Sequence, residues 1–358
     1  MQTHNTKVPR RILILPVTLL AVALSAFFVV DRAAAQNMDA HHHSPVADVA
    51  NVPEVTQDWA KTQLAKSPRH REWVKVKYGN REVNSLVIFP EVKKKATAVV
   101  VIHEINGLSD WVQQLTDELA EAGYIAIAPD LLSGMGPNGG GTADVATKGG
   151  NAVGQAIRDL PPDQITADLN AVADYVAKLP AANGKVAVAG YCWGGTQSFR
   201  FAMNRPSLKA AFVFYGTTPG SNAQGQPYAV DQAGLARITA PVYGFYAEND
   251  MRVNATIPPT KESMETMKKA WKDASSTPEG KRAEKFVYDP VTYAGAGHGF
   301  MRAGEPNAPE PKAPATTGDE AADKKAKEDY DKALTMYRAN RKARDDAWVR
   351  WKGILAKL

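Results

Sequence analysis

The chain has 358 residues, of which 44% are hydrophobic and 23% are charged. This length and composition suit one large globular domain with extensions, or two small domains. The formal net charge is +5 at pH 7, but lysine and arginine are interleaved with aspartate and glutamate. Because no basic face with interleaved aromatic residues stands out, the composition argues against a nucleic-acid-binding protein.

The N-terminal region has the pattern of an export signal. Lys7, Arg10 and Arg11 precede an uncharged stretch, 12–30, and an alanine triplet then ends at Ala35. We predict a secretory signal peptide cleaved near Ala35, which places the mature chain in the periplasm or outside the cell. The uncharged stretch is also long enough to span a bilayer, so an uncleaved membrane anchor is the alternative. The paired arginines also permit a twin-arginine signal.

The rest of the chain divides by composition into four segments. We predict a polar, solvated leader that contains three adjacent histidines, a catalytic domain, an insertion rich first in proline and alanine and then in charge, and a C-terminal helix that docks on the core. These segments are 36–70, 71–302, 303–342 and 343–358. The histidines of the leader cannot all face one ion, and no carboxylate cluster joins them, so they do not indicate a metal site.

Strand and helix patterns alternate through 71–302. A hairpin pattern comes first, around Gly79-Asn80, and a glycine-rich segment at 131–150 is predicted to be a mobile surface loop. Further strands are predicted at 97–102, 124–128, 185–189, 209–214, 242–247 and 285–289, and helices at 111–122, 163–178, 195–203 and 259–271. This alternation predicts an α/β fold with a doubly wound, mainly parallel sheet that begins with an antiparallel hairpin.

The single cysteine lies at the centre of Gly190-Tyr191-Cys192-Trp193-Gly194, directly after the predicted strand 185–189. Gly-x-nucleophile-x-Gly between a strand and a helix is typical of the nucleophile elbow of α/β-hydrolases, here with a thiol in place of the usual hydroxyl. The alternative is that Cys192 is a small buried hydrophobic residue. An exported chain with one cysteine cannot form an intramolecular disulfide, which favours a chemical role for the thiol.

Two residues further along the chain could activate this thiol. Asp250 follows the predicted strand 242–247, and His298 lies in the glycine-rich sequence Gly295-Ala296-Gly297-His298-Gly299. The order nucleophile, acid, histidine is the α/β-hydrolase order. Histidine titrates near neutrality, and an aspartate can orient it and stabilise the imidazolium. Either residue alone could belong to an ordinary loop, but the ordered set predicts a catalytic triad.

With these residues, the chain resembles the dienelactone hydrolase family over about 73–302 and the final helix. His103-Glu104-Ile105-Asn106-Gly107 is similar to the family's glutamate motif, and the sequence around Cys192 is similar to its nucleophile signature. The resemblance implies that Cys192 is the nucleophile, His298 the base and Asp250 the orienting acid. It also implies that Glu104 pairs with the thiol, and that the backbone N–H groups of Ile105 and Trp193 form the oxyanion hole.

The resemblance further implies that Arg302 binds a substrate carboxylate, although it could also be a structural arginine. The segment after Asp130 departs from the family pattern, because Arg158 is the only arginine there and it has no clear counterpart.

We therefore expect an α/β-hydrolase fold and a hydrolase of small ester or lactone substrates. The alternatives are a broader carboxylesterase or acyltransferase, and a non-catalytic binding module on the same fold. We expect no cofactor, no metal ion, no nucleic-acid partner and a monomer, with membrane contact only if the N-terminal segment is uncleaved.

Overall fold

The computed structural model describes residues 57–221, 226–303 and 310–358. The predicted export signal and the three histidines of the leader lie outside the described residues. Within the described part of the chain, no helix combines the length and the apolar character needed to cross a membrane.

A mainly parallel sheet of eight strands organises the fold. The strands of the described residues are β1 (Arg71–Tyr78), β2 (Arg81–Ile88), β3 (Ala96–Ile102), β4 (Ile125–Pro129), β5 (Ala182–Tyr191), β6 (Ala211–Phe214), β7 (Gly220–Ser221), β8 (Ala229–Val230), β9 (Val242–Ala247) and β10 (Tyr288–Tyr293). Their order in the sheet is β1-β2-β4-β3-β5-β6-β9-β10. β1 and β2 form an antiparallel hairpin, β2 also pairs antiparallel with β4, and all the other pairings in this sheet are parallel. β7 and β8 form a separate two-stranded ladder.

Eleven α-helices connect or follow these strands in the described residues. They are α1 (Asp58–Lys66), α2 (Asp110–Glu121), α3 (Thr142–Ala146), α4 (Ala152–Arg158), α5 (Pro162–Ala177), α6 (Trp193–Asn204), α7 (Gln232–Leu235), α8 (Met251–Asn254), α9 (Ile257–Asp273), α10 (Pro278–Arg282) and α11 (Glu320–Leu355). Short 3₁₀ turns occur at Pro137–Gly139, Ala283–Lys285 and Phe300–Arg302.

The sheet is covered on both faces, which explains why its central strands are apolar without alternation. Along β3, Val100 and Ile102 belong to the core on one face, which α5, α6 and α9 cover, whereas Val99 and Val101 belong to the core on the other face, which α2 and α11 cover. Successive side chains of a strand point to opposite faces, so both faces need apolar residues. The predicted doubly wound sheet and its antiparallel hairpin are confirmed.

The described part of the predicted leader is not a solvated tail. α1 packs against α2, Ala60 is fully buried, and the Gln57 N–H donates to the Asp110 carboxylate at 2.7 Å. The Arg69 guanidinium pairs with the buried carboxylate of Asp117 on α2. These contacts were not predicted from the sequence, because the polar partners of this segment lie about 50 positions further along the chain.

The glycine-rich segment 131–150 differs from the surface loop that was predicted there. Leu131 and Leu132 are fully buried, and the segment contains α3. The N–H and hydroxyl of Thr142 both donate to the Asp130 carboxylate at 2.7 Å, and the Thr142 hydroxyl accepts from the Leu108 N–H at 3.1 Å. The glycines give the chain room to turn, while these contacts hold it against the loop after β3.

The last strand begins later than predicted, at Tyr288 instead of Lys285. Ala283–Lys285 is a 3₁₀ turn, and Phe286 turns inward to pack on Trp271 of α9, with 4.4 Å between the ring centroids. The apolar character of this stretch therefore reflects packing against α9, and pairing with β9 starts two residues after Phe286.

The charged end of the predicted insertion and the predicted C-terminal helix are one element, α11. The Asp319 carboxylate caps its N-terminus by accepting from the N–H groups of Ala321 and Ala322. No proline or glycine occurs between 320 and 352, so nothing in the sequence interrupts the helix at the predicted boundary. Its first half is largely exposed, while Trp348 and Trp351 in its second half are buried on the core.

The docking of α11 gives the first test. Trp351 is fully buried, and its ring lies 4.9 Å from that of Phe214 on β6. We expect Trp351→Ala to lower the free energy of unfolding by about 3–5 kcal/mol, the usual cost of truncating a buried tryptophan. Urea denaturation measures it. Val349→Ala on the same helix is the matched control, because Val349 is 71% exposed and its change should stay within about 0.5 kcal/mol. Equal effects of both substitutions would contradict the docking of this helix.

Candidate active site

Cys192 lies at a sharp turn between β5 and α6. Its backbone has φ 53° and ψ −117°, which is a strained conformation for a residue with a side chain. The turn also brings backbone segments unusually close together. A Cβ on Gly190 would lie 2.0 Å from the Gly194 carbonyl oxygen, and a Cβ on Gly194 would lie 2.3 Å from the His103 carbonyl oxygen. Only glycine fits at these two positions, so the motif has a steric cause.

The structure brings Cys192, His298 and Asp250 together. His298 Nδ1 lies 2.5 Å from Asp250 Oδ2, and the His298 ring also interacts with the Cys192 side chain, which lowers the pKa of the thiol. Asp250 directly precedes α8, just past the end of β9, and His298 lies in the loop after β10. Because Asp250 occupies Nδ1, Nε2 is the nitrogen that faces the thiol. This is the proximity that the predicted roles of nucleophile, base and orienting acid require.

Both members of the Cys192–His298 pair have shifted pKa values. Burial by itself would raise the pKa of the Cys192 thiol, but the charge and the hydrogen bond of His298, with a further bond from the Trp193 N–H, outweigh it and lower this pKa. Burial would likewise lower the pKa of His298, but the Cys192 thiolate and the Asp250 carboxylate raise it well above its usual value. The two shifts favour the same state, a thiolate beside an imidazolium.

Glu104 and Arg302 form an ion pair next to this site. Arg302 Nε donates to Glu104 Oε1 at 3.1 Å, and the guanidinium also contacts the second carboxylate oxygen. The side chains of Glu104 and Arg302 are only 3% and 15% exposed, and the Arg302 guanidinium lies over the Trp111 ring. The contact observed for Glu104 is therefore with Arg302, whereas a pairing with the thiol was predicted. Arg302, in turn, points inward to a protein carboxylate.

The two predicted oxyanion-hole donors come from adjacent segments. Ile102 at the end of β3 pairs with Gly190 of β5, so the loop that contains Ile105 begins beside the turn at Cys192. Trp193 is the first residue of α6, and its N–H belongs to the first turn, where helix N–H groups have no intrahelical partner. The fold therefore places both predicted donors at the same edge of the sheet as Cys192.

Comparisons with known proteins identify the family of this chain. The model of the "Dienelactone hydrolase family" matches residues 83–356 of this chain. The chain belongs to the dienelactone hydrolase family. It is therefore a hydrolase, and the resemblance predicted from the motifs is confirmed.

Relatives of this family member are about one-third identical to it over 56% of its length. A "Putative carboxymethylenebutenolidase" of Yersinia pestis is 31% identical over 203 residues, which is 56% of this chain and 67% of the relative. A protein of Salmonella typhi with the same name is 33% identical over 204 residues, with the same two coverages. The solved structure of a "Putative Dienelactone Hydrolase" from Klebsiella pneumoniae has a TM-score of 0.51 and 21% identity, and the match covers 81% of this chain and 99% of that one. This likeness shows the α/β-hydrolase fold.

Several residues that support the family's site were not found from the sequence. Tyr215 has a positive φ of 40°, and its ring meets the His298 ring edge-on at 5.0 Å. The Asn340 side chain accepts from the Gly297 N–H at 2.8 Å, and Arg344 donates to the Met301 carbonyl at 3.2 Å. Both of these polar residues lie on α11, so this helix holds the loop that carries His298. None of these contacts has a signal in the sequence, because each joins residues that lie far apart along the chain.

The pH dependence of thiol alkylation tests the charged pair. Because the pKa of Cys192 is lowered, we expect its reaction rate with iodoacetamide to rise with pH through a midpoint below about 8.5, the usual thiol value. In His298→Gln the burial remains but the positive charge is lost, so the midpoint should move upward. His70→Gln, at a histidine whose side chain is 70% exposed, should keep the original midpoint. A midpoint that does not move in His298→Gln would contradict the pairing.

Proposed function

We propose that this chain hydrolyses ester or lactone bonds through a covalent thioester on Cys192. The observation that carries the proposal is the 2.5 Å contact of His298 with Asp250, together with an interaction between His298 and Cys192 that shifts their pKa values toward a thiolate and an imidazolium. The thiolate is the nucleophilic form of cysteine, so a lowered pKa raises the fraction of Cys192 in the reactive form. A module that only binds ligands has no use for this charge separation.

The first half of the reaction follows from the positions of these groups. The Cys192 thiolate attacks the carbonyl carbon, and the carbonyl π electrons move to oxygen. The N–H groups of Trp193 and Ile105 are proposed to stabilise the resulting oxyanion. The His298 imidazolium then donates its Nε2 proton to the leaving oxygen as the carbon–oxygen bond breaks. An alcohol leaves from an ester, while a lactone opens and its alcohol stays attached to the acyl group.

The second half regenerates the resting state. Neutral His298 removes a proton from a water molecule, which attacks the thioester carbonyl and forms a second oxyanion in the same place. When this intermediate collapses, the carbon–sulfur bond breaks, the carboxylic acid leaves, and the thiolate–imidazolium pair returns. Asp250 accepts the Nδ1–H bond throughout and stabilises the imidazolium without taking its proton.

A chromogenic ester tests this chemistry. With p-nitrophenyl acetate we expect turnover, and mass spectrometry of acid-quenched samples should find an acetyl group on Cys192. Alkylation of Cys192 should abolish turnover, and His298→Ala should lower kcat by about a thousandfold or more, as removal of a triad member does. Turnover that survives complete alkylation would contradict the proposal. Acetyl transfer to an added alcohol in preference to water would instead indicate the acyltransferase alternative.

The names of the relatives suggest the substrate class. A carboxymethylenebutenolide is an unsaturated lactone that carries a carboxylate, and relatives with about one-third identity are named for its hydrolysis. We propose that this chain acts on small lactones or esters of this kind.

Arg302 is the candidate for binding the carboxylate of such a substrate, because guanidinium and carboxylate can form two parallel hydrogen bonds. Since Arg302 is paired with Glu104, such a substrate must compete with Glu104 for the guanidinium.

The competition requires a test that does not leave the buried Glu104 carboxylate without its partner. Removing Arg302 alone would strand the buried Glu104 carboxylate and destabilise the fold by about 3–5 kcal/mol. In the Glu104→Gln background, Arg302→Met leaves no carboxylate behind. We expect this double variant to have a KM about ten- to a hundredfold higher than Glu104→Gln for a carboxylate-bearing ester, equivalent to about 1.5–3 kcal/mol.

A neutral ester of the same size is the matched control. Its KM should be nearly the same in the two proteins, because it offers no charge to Arg302. Equal increases in KM for both esters would show that Arg302 supports the loop around His298 and does not bind the substrate carboxylate.

We also propose that the enzyme works outside the cytoplasm. The support is the pattern of the N-terminal region, in which basic residues, an uncharged stretch and an alanine triplet ending at Ala35 follow one another. A membrane anchor remains the alternative reading of the same stretch.

A further inference from the structure

His103 is a buried histidine that the proposed mechanism does not use. It directly follows β3, immediately before Glu104, and its side chain is fully buried. His103 Nδ1 lies 2.9 Å from the Glu104 carbonyl oxygen, and the Leu131 N–H points at His103 Nε2 at 3.3 Å. The ring therefore bridges the loop after β3 and the loop after β4.

These two contacts define the protonation state of His103. A carbonyl oxygen can only accept, so Nδ1 must carry a hydrogen, and a backbone N–H can only donate, so Nε2 must carry a lone pair. Only the neutral Nδ1–H imidazole satisfies both. Burial opposes a charge on the ring and lowers the pKa of His103 to about 4, although the nearby Asp130 carboxylate acts in the opposite direction. The adjacent residue, Glu104, also carries a carboxylate, but this carboxylate forms its ion pair with Arg302.

His103 also contacts the segment that carries the second predicted oxyanion donor. Its ring stacks on the Trp193 ring, with 5.6 Å between centroids and an angle of 13° between the planes. The His103 carbonyl oxygen lies against Gly194, the residue after Trp193. A Cβ at position 194 would come within 2.3 Å of this oxygen, so only glycine fits there. One residue thus touches the peptide before Ile105 and the first turn of α6.

The loop on the far side of His103 is held from outside the site. Arg81 donates to the Leu131 and Ser133 carbonyls at 3.3 and 2.9 Å, and it pairs at 2.7 Å with Asp168, which is 1% exposed. The Leu131 N–H that meets His103 is therefore part of a well-anchored segment. His103 connects this anchored segment to the loop of Ile105.

We propose that His103 is a positioning residue that holds the backbone donors of Ile105 and Trp193 in place for the oxyanion. It does so as a neutral imidazole, through the bond to the Glu104 carbonyl and the stacking on Trp193. The inference rests on the proposed function, because an oxyanion forms only if Cys192 attacks a carbonyl. Alkylation of Cys192 by iodoacetamide forms no oxyanion, so the two reactions should separate the role of His103 from the reactivity of the thiol.

The test compares three proteins in both reactions. His103→Phe keeps an aromatic ring against Trp193 but loses both hydrogen bonds. His103→Asn keeps an N–H donor at the position of Nδ1. We expect His103→Phe to lower kcat for p-nitrophenyl acetate by about ten- to a hundredfold, less than the loss of a donor itself, with KM changed by no more than about threefold. Its alkylation rate should stay within about twofold of that of the unmodified chain.

The conservative variant and a matched control complete the design. His103→Asn should recover most of the lost kcat, because its amide can donate to the Glu104 carbonyl. Thr116→Val removes another fully buried hydrogen bond, from the Thr116 hydroxyl to the Val112 carbonyl on α2, and should leave kcat unchanged. If His103→Phe does not fold, His103→Gln, which can accept from the Leu131 N–H but is not placed to donate to Glu104, replaces it with the same expectation.

Three results would overturn the inference: an unchanged kcat in His103→Phe, a parallel loss of kcat and alkylation rate, or a His103→Asn variant no better than His103→Phe. Failure of the proposed function looks different, because the unmodified chain itself would then show no turnover. A nitrogen NMR spectrum gives a direct second measurement. The His103 signals should be those of a neutral Nδ1–H ring at pH 7, and an imidazolium there would contradict the proposal.

Discussion

The backbone of Cys192 is the constraint on which the site depends. A positive φ at a residue with a side chain is costly, and it persists only where the surroundings determine it fully. Here, β5 leads into the turn, the Cys192 N–H donates to the Phe214 carbonyl of β6 at 3.0 Å, and α6 begins at the next residue. The thiol is therefore presented at the edge of the sheet by the backbone itself. The parallel order of β3, β5, β6 and β9 then brings their following loops to that same edge.

Two pairs of interacting ionisable side chains share this edge. Cys192 and His298 shift each other's pKa toward the charged forms, and Glu104 forms an ion pair with Arg302. Charges held away from water interact more strongly, but leaving either member unpaired is expensive, so each pair holds its residues in place. The loop between His298 and Arg302 connects the pairs. α11 fastens that loop at both ends, through Asn340 near His298 and through Arg344, which also pairs with Glu118 of α2. The long C-terminal helix is thus part of the support of the site.

The parts of this arrangement that were predictable from sequence are those with local causes. The run 97–102 is apolar because both faces of β3 are covered, and the glycines around Cys192 are required by contacts within the turn. The features that were missed depend on distant partners. Glu104 and Arg302 are 198 positions apart, and Gly297 and Asn340 are 43 apart. No periodicity signals such a pair. The helix in the predicted leader was missed for the same reason, since its partners Asp110 and Asp117 lie on α2.

His103 and His298 show how environment assigns opposite roles to one residue type. Both are close to Cys192 in the fold, and burial opposes the charged form of each. His298 faces a thiolate and the Asp250 carboxylate, which outweigh burial and favour the imidazolium. His103 faces a carbonyl oxygen and an N–H, and this pair of neighbours requires a neutral ring with one hydrogen. When two side chains of one type have pKa values shifted in opposite directions, one of them commonly transfers a proton and the other does not. In the proposed mechanism, the proton of His298 is therefore available to a leaving group, while that of His103 stays in a hydrogen bond to the Glu104 carbonyl.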